Sequence, residues 1–490
     1  MSRSPRTRRI RRILRAAVAL TGVAVFSLAG CRGDDDQRPP APRDRNGHGD
    51  RSLGDFDKDG YDDFATTVVA EDPKLRSEPE GHRLVVVPGS RRGLDTARHR
   101  VFAGLEGPLL RADLDGDGYT DLAARRDPNP GGAPGPGGAR EAVILHGGRD
   151  GLGDPVPVRA EGDFHLAAVA DVDGDDHPDL IDGGVGRVSH DPGVRPRPGR
   201  IAYGPFGRDG APAREVRQEW NTVGGALTAG DFDGDDYDDL LFTTTQTPVP
   251  DQDEPEFVPV DTYFRGGPGG PEPARYPPDP DNQVADGPTV PAAGDVDGDG
   301  RTDLLVHGDR RVDYDRHPTA GRLTVVYGAE GGLGTGRKTV TLDQETPGVP
   351  GDSEHGDRFG SDAGTGDVTG DGHPDLVVNS PGEDRRSGRV TLVPGTPEGP
   401  DPSRAVVVDL DTPGVPGERY PSGRDNFAAT FPLLDVDGDR HADVVARAVG
   451  YYVRSTPGLW LIPGGTSGFR TDAVRSVKPG PLGLDPRHWT

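Results

Sequence analysis

The chain has one cysteine and one methionine in 490 residues. A lone cysteine, Cys31, excludes an intramolecular disulfide, CxxC redox chemistry and a cysteine zinc cluster, so stability must come from packing and from hard ligands. Lysine is nearly missing, with arginine supplying all but four of the 56 basic residues. Helical spacing of apolar residues appears nowhere, which argues against a helical fold. The apolar run from Ala16 to Leu28 falls far short of the roughly 20 residues that span a bilayer. Catalytic signatures are missing as well. There is no G-x-S-x-G elbow and no H-E-x-x-H, and none of the 13 histidines pairs with another at zinc spacing on a helix. No glycine-rich stretch follows a strand and opens a helix, so the many glycines are turn residues rather than phosphate cradles. The net charge of −26 lacks the basic footprint of a nucleic-acid binder.

What the chain does have is a nine-residue stretch that recurs seven times. Its cleanest copy, Asp295 to Asp303, reads D-V-D-G-D-G-R-T-D, and the others begin at Asp55, Asp113, Asp171, Asp231, Asp367 and Asp435. The intervals of 58, 58, 60, 64, 72 and 68 residues mark a repeat architecture. Positions 1, 3, 5 and 9 carry carboxylates, and position 7 can offer its carbonyl. Ca²⁺ takes about 6–8 hard oxygens, and a tight loop with alternate side chains turned inward supplies most of them. A glycine at position 6 permits the turn. A solvated acidic turn would not keep this spacing seven times.

The expected ligand sets are Asp55, Asp57, Asp59, Tyr61 and Asp63; Asp113, Asp115, Asp117, Tyr119 and Asp121; Asp171, Asp173, Asp175, His177 and Asp179; Asp231, Asp233, Asp235, Tyr237 and Asp239; Asp295, Asp297, Asp299, Arg301 and Asp303; Asp367, Thr369, Asp371, His373 and Asp375; and Asp435, Asp437, Asp439, His441 and Asp443. They provide for up to seven structural Ca²⁺. The three histidines stand at position 7, where only the carbonyl is expected to matter. The loops are also expected to differ. Those at Asp55, Asp113 and Asp295 have a full carboxylate set and glycine at position 6; Asp176, Asp236 and Arg440 replace that glycine elsewhere, and the Asp435 loop is expected to be weakest.

An EF-hand would need a bidentate glutamate at position 12. Position 12 here is Thr66, Ala124, Asp182, Phe242, Val306, Val378 and Ala446. Apolar, β-branched runs such as Leu376-Val377-Val378 follow position 9, so each loop joins two strands. A third strand follows in every unit, from Leu84–Val87 to Leu459–Ile462, and ends in a glycine turn. A fourth, weaker strand such as Ala405–Val408 comes after it. Four short antiparallel strands per unit and seven units predict an all-β, seven-bladed β-propeller over residues 51–490. The first inner strand is expected near Arg51–Gly54, which leaves ring closure open.

These repeats resemble the FG-GAP repeats of the integrin α-subunit propeller and its bacterial relatives. The sixth unit carries the resemblance most fully: Arg358-Phe359-Gly360, then Gly366-Asp367-Val368-Thr369-Gly370-Asp371-Gly372, Asp375-Leu376, and Asn379-Ser380-Pro381-Gly382 where the family has Gly-Ala-Pro. The seventh unit has Asn426-Phe427-Ala428 instead of the Phe-Gly. The resemblance implies a calcium-carrying propeller that serves adhesion or accompanies hydrolases.

Ahead of the repeats, seven arginines within Arg3–Arg15 precede the apolar run, the arrangement of an export signal. Leu28-Ala29-Gly30-Cys31 resembles a bacterial lipobox, with cleavage before Cys31 and lipid on its sulfur. Residues 1–30 are thus read as a signal peptide and 31–50 as a lipidated, flexible tether. Arg32-Gly33-Asp34 lies in the tether and is a triplet this composition yields by chance. The chain is expected to be an exported protein, lipid-anchored to the outer face of the bacterial cell membrane, monomeric and non-enzymatic. It would bind a protein or glycan on the face opposite the calcium loops. A secreted hydrolase, or the accessory propeller of one, is the alternative.

Overall fold

The computed structural model describes residues 53–71, 79–126, 140–184, 198–220, 226–246, 258–274, 292–308, 320–417, 419, 423, 425–448, 458–478 and 482. The tether, Cys31 and the long segments 127–139, 185–197 and 247–257 lie outside them.

Seven antiparallel sheets succeed one another along the chain. The first contains β1 (Phe64–Glu71), β2 (Pro79–Val87) and β3 (Arg100–Ala103). The second runs from β4 (Leu105–Ala112) through β5 (Asp121–Arg126) and β6 (Glu141–Leu145) to β7 (Val156–Pro157). The third has β8 (Leu166–Ala170), β9 (Asp179–Asp182), β10 (Gly199–Tyr203) and β11 (Arg214–Gln218), and the fourth β12 (Ala226–Gly230), β13 (Asp239–Gln246), β14 (Val258–Arg265) and β15 (Glu272–Ala274). The fifth is β16 (Ala292–Gly294), β17 (Asp303–Gly308), β18 (Arg322–Val326) and β19 (Val340–Leu342). The sixth is β20 (Ala363–Gly366), β21 (Asp375–Ser380), β22 (Arg389–Val393) and β23 (Val406–Val408). The seventh is β24 (Ala428–Ala429), β25 (Val444–Ala448), β26 (Gly458–Ile462) and β27 (Arg475–Val477). The molecule is a seven-bladed β-propeller.

The apolar runs form strands with two buried faces because each blade is sandwiched between two others. In β2, Leu84 and Val86 pack into the second blade, while Val85 and Val87 pack into the seventh. In β26, Trp460 and Ile462 face the sixth blade, whereas Leu459 and Leu461 face the first. Seven such clusters fill the seven interfaces. Alternating residues of one strand therefore stabilise two different interfaces, each fully buried apolar side chain contributing roughly 1.5–3 kcal/mol.

Two backbone hydrogen bonds recur between blades. The N–H of motif position 8 donates to the position-1 carbonyl of the preceding blade: Asp238 to Asp171 at 2.8 Å, Thr302 to Asp231 at 2.8 Å and Ala442 to Asp367 at 2.8 Å. The N–H just after the turn glycine donates to the position-2 carbonyl of the preceding blade, as in Gly267 to Val172 at 3.0 Å and Gly465 to Val368 at 2.9 Å. The last interface obeys the same rule, with Ser90 donating to Val436 at 3.1 Å. The ring thus closes between neighbouring blades, and the seventh sheet takes all four strands from the C-terminal repeat.

The expected inner strand at Arg51–Gly54 is not found among the described residues, where Leu53 and Gly54 lie in a turn. Arg111 of the second blade reaches into this place. Its guanidinium donates to the carbonyls of Leu53 at 3.5 Å and Asp63 at 3.4 Å and stacks over Phe56.

Candidate metal centre

In six blades the acidic loop joins the first strand to the second, and in the first blade it leads into β1; each loop is folded by its own backbone. In the fifth blade, Asp295 Oδ1 accepts the N–H groups of Gly298 at 2.7 Å and Asp299 at 3.2 Å, and Oδ2 accepts that of Gly300 at 2.9 Å. Asp171 and Asp231 accept the same three donors. The position-5 carboxylate then accepts the N–H of position 7 in all seven loops, from Asp59 with Tyr61 to Asp439 with His441. Positions 1 and 5 are thereby held as loop formers with lone pairs to spare.

Position 9 is buried in every copy. One of its oxygens accepts the N–H of the turn glycine between the last two strands of its sheet: Gly89 to Asp63, Gly147 to Asp121, Gly204 to Asp179, Gly266 to Asp239, Gly328 to Asp303, Gly395 to Asp375 and Gly464 to Asp443, at 2.7–3.0 Å. The other oxygen accepts the N–H of position 2 in five loops, for instance Val296 to Asp303 at 2.8 Å. In the fourth it accepts the Tyr263 hydroxyl, and in the sixth the Thr369 N–H at 2.7 Å. The acidic loop and the glycine turn therefore share one face of the ring. Burial pushes Asp63, Asp239 and Asp303 up to about 7, and Asp179 and Asp443 up to about 8.

Position 3 is different. Asp173 Oδ1, Asp233 Oδ1, Asp297 Oδ1 and Asp437 Oδ1 are buried without a hydrogen-bond partner. Such an oxygen costs roughly 1–3 kcal/mol or more unless something occupies its lone pairs. Carboxylate oxygens of Asp55, Asp57 and Asp63 lie within 4.8 Å of one another, as do those of Asp171, Asp173 and Asp179, and of Asp231, Asp233 and Asp235. That span is about twice a Ca²⁺–oxygen distance, so one hard cation can reach every member of a set. The donor set fits the ion that the sequence implies.

Several features were not read from the sequence. Position 4 as well as position 6 is left-handed: Gly116, Gly174, Gly234, Gly298, Gly370 and Gly438 have φ of 68–75°, and Lys58 takes the same conformation at 57°. At position 6, Asp176, Asp236 and Arg440 sit at 64°, 67° and 72°. Position 7 contributes its side chain as well as its backbone. A Cβ on Gly174 would lie 2.6 Å from Tyr237 of the next blade, and one on Gly370 would lie 2.5 Å from His441. Position 2 is a buried anchor in every loop: Phe56, Leu114, Val172, Phe232, Val296, Val368 and Val436 are each at most 1% exposed. Finally, arginines cover the open side of the loops. Arg265 Nε lies 2.6 Å from Asp233 Oδ2, Arg214 Nη2 2.5 Å from Asp173 Oδ2, and Arg337 Nη1 2.5 Å from Asp297 Oδ2.

A closed ring of seven blades with an acidic loop at the same corner of each defines a repeat-built propeller. Residues 359–393, which run from Phe359 to the end of β22 within the sixth blade, match the FG-GAP repeat. No curated protein matches the chain. Among solved structures it is similar to the rhamnogalacturonan lyase PL11 of Bacillus licheniformis, with 14% identity over 82% of this chain and 67% of that one and a TM-score of 0.31. It is also similar to the exotype rhamnogalacturonan lyase YesX, at 16% identity over 83% and 74% with a TM-score of 0.32. For the rhamnogalacturonan lyase YesW the values are 12%, 87%, 87% and 0.31. Likeness at this level does not extend to activity.

Proposed function

We propose that the chain is a surface-anchored binding or structural propeller whose loops are organised by calcium. The observation that carries this is the position-3 carboxylate, one oxygen of which is buried without a hydrogen-bond partner in four loops, while the carboxylates at positions 5 and 9 are held by backbone N–H groups. Carboxylates about 4 Å apart repel by about 4 kcal/mol at an effective dielectric near 20, and the covering arginines offset only part of this. A divalent ion in each loop would offset the remainder. The test is metal analysis of the purified protein together with its thermal melt. Several equivalents of calcium and a melt that falls on chelation support the reading. A metal-free protein with a melt indifferent to chelator and to added calcium overturns it.

The ligand surface of this reading is the face opposite the acidic loops, where the connections are long and irregular. Variable connections on a rigid scaffold are where binding sites collect. There, on the connection between β21 and β22, Asp384, Arg385 and Arg386 all hold positive φ, at 49°, 64° and 70°. Backbone strain of this kind collects at functional positions. Anchoring belongs to the same proposal. Lipid on Cys31 would hold the protein at the membrane, so Cys31→Ala should release it, and an intact mass showing unmodified Cys31 in the membrane fraction would refute the anchor.

A further inference from the structure

One loop is unlike the other six. The residue before the turn glycine is Pro88, Tyr203, Arg265, Tyr327, Pro394 or Pro463 in six blades. In the second blade it is His146. Its side chain is 6% exposed, and neither ring nitrogen has a hydrogen-bond partner. Nδ1 lies 3.3 Å from Asp115 Oδ2 and 3.5 Å from Asp121 Oδ2, and these three ligand atoms fall within 4.8 Å of one another. A buried imidazole that satisfies neither nitrogen is costly unless something engages it.

We propose that the second loop is a mixed nitrogen–oxygen site for a borderline first-row divalent ion, with Zn²⁺ as its representative, formed by His146 Nδ1, Asp115 and Asp121. This rests on the reading of the acidic loops as cation sites and gives one of the seven a different ion. Imidazole suits zinc and its neighbours, whereas Ca²⁺ is served by oxygen alone. The spacing agrees. Ligands about 2.0–2.1 Å from a tetrahedral zinc stand about 3.3–3.4 Å apart, close to the two nitrogen–oxygen separations here. Asp121 is held in place by the N–H groups of Leu114 at 3.0 Å and Gly147 at 2.7 Å, so the carboxylate is pre-oriented. Arg208 Nε lies 2.6 Å from Asp115 Oδ2, but this side chain is more than half exposed and can yield to an ion or remain as an outer partner.

The experiment strips the purified protein of metal, restores it in excess calcium with a few equivalents of zinc, removes free ions, and counts both metals. The expected result is one retained zinc per chain beside the calcium, with an imidazole shell in zinc-edge X-ray absorption. Its affinity should fall at least about 100-fold in His146→Asn, since even outer-shell changes cost 10–100-fold. The calcium count of the other loops should be unchanged in that variant. Zinc that washes out under calcium, zinc kept equally by His146→Asn, or an absorption spectrum with oxygen ligands only would overturn the proposal. The absorption measurement on the unaltered protein decides the matter even if the variant misfolds. If no calcium binds at all, the reading of the loops fails; if calcium binds and zinc does not, only the second-loop assignment fails.

Discussion

Asp62 and Asp435 stand 373 residues apart in the chain and hold each other twice. The Asp62 N–H donates to the Asp435 carbonyl at 2.9 Å, and the Asp435 N–H donates to Asp62 Oδ2 at 2.8 Å. Asp238 and Asp171 make the same pair of bonds between the third and fourth blades, both at 2.8 Å. The contact that closes the ring is therefore an ordinary interior contact of the repeat. Asp62→Ala removes the acceptor of a part-buried N–H and should cost about 1–3 kcal/mol. Asp62→Asn, which keeps an oxygen there, should cost less. Thermal and denaturant melts of the two variants check this.

The two kinds of carboxylate should separate on mutation. Asp303→Ala leaves the N–H groups of Gly328 and Val296 without their acceptor, at about 1–3 kcal/mol for each donor, and should destabilise the fold with or without calcium. Asp297→Ala removes a carboxylate with a buried, unpartnered oxygen, and should be near neutral in chelator and costly only when calcium is present. Parallel melts in chelator and in calcium distinguish them.

Left-handed positions with side chains offer a gain. Arg440, at φ 72°, should give about 1–2 kcal/mol when replaced by glycine, less glycine's own entropic cost. Lys58→Gly should gain less, because the Lys58 ammonium lies over the Tyr119 ring at 4.8 Å, a contact worth about 0.5–1 kcal/mol. Arg440→Gly should also tighten calcium binding at the seventh loop. Melts and calcium titrations check the order.

Metal-free stability should depend on pH with a defined sign. The position-9 carboxyls are raised by burial from the ordinary 3.8, to about 7 for Asp63, Asp239 and Asp303 and about 8 for Asp179 and Asp443. Between those values the folded state binds more protons than the unfolded state, so stability falls as pH rises. The chelated protein should melt higher near pH 5–6 than near pH 8–9, and calcium should flatten or reverse the slope by favouring the ionised loops. Melts across this range in chelator and in calcium test it.

The strands and the loop positions were legible because both follow fixed spacings: a nine-residue motif and apolar runs of β-branched residues. The apolar position 2 and the glycine at position 4 were also visible in the repeats, but their reasons lie in the neighbouring blade, where Phe232 is buried and Tyr237 covers Gly174. The arginine covers follow no single offset. Arg214 reaches Asp173 across 41 positions, Arg337 reaches Asp297 across 40, and Arg208 reaches Asp117 across 91, from the next blade. A contact whose partners are set by the curvature of the ring leaves no period in the chain. His146 was invisible for a related reason, since only the fold brings the end of β6 over its own acidic loop.

Each sheet is drawn from one uninterrupted stretch, and the last interface is bonded like those before it. The seam beside the three-stranded first sheet is thus held by the same bonds as the seams between four-stranded ones. A circularly permuted chain opened between β23 and β24 would keep every sheet whole and merely relocate the break. Where the break falls is then a matter of gene order, not of packing.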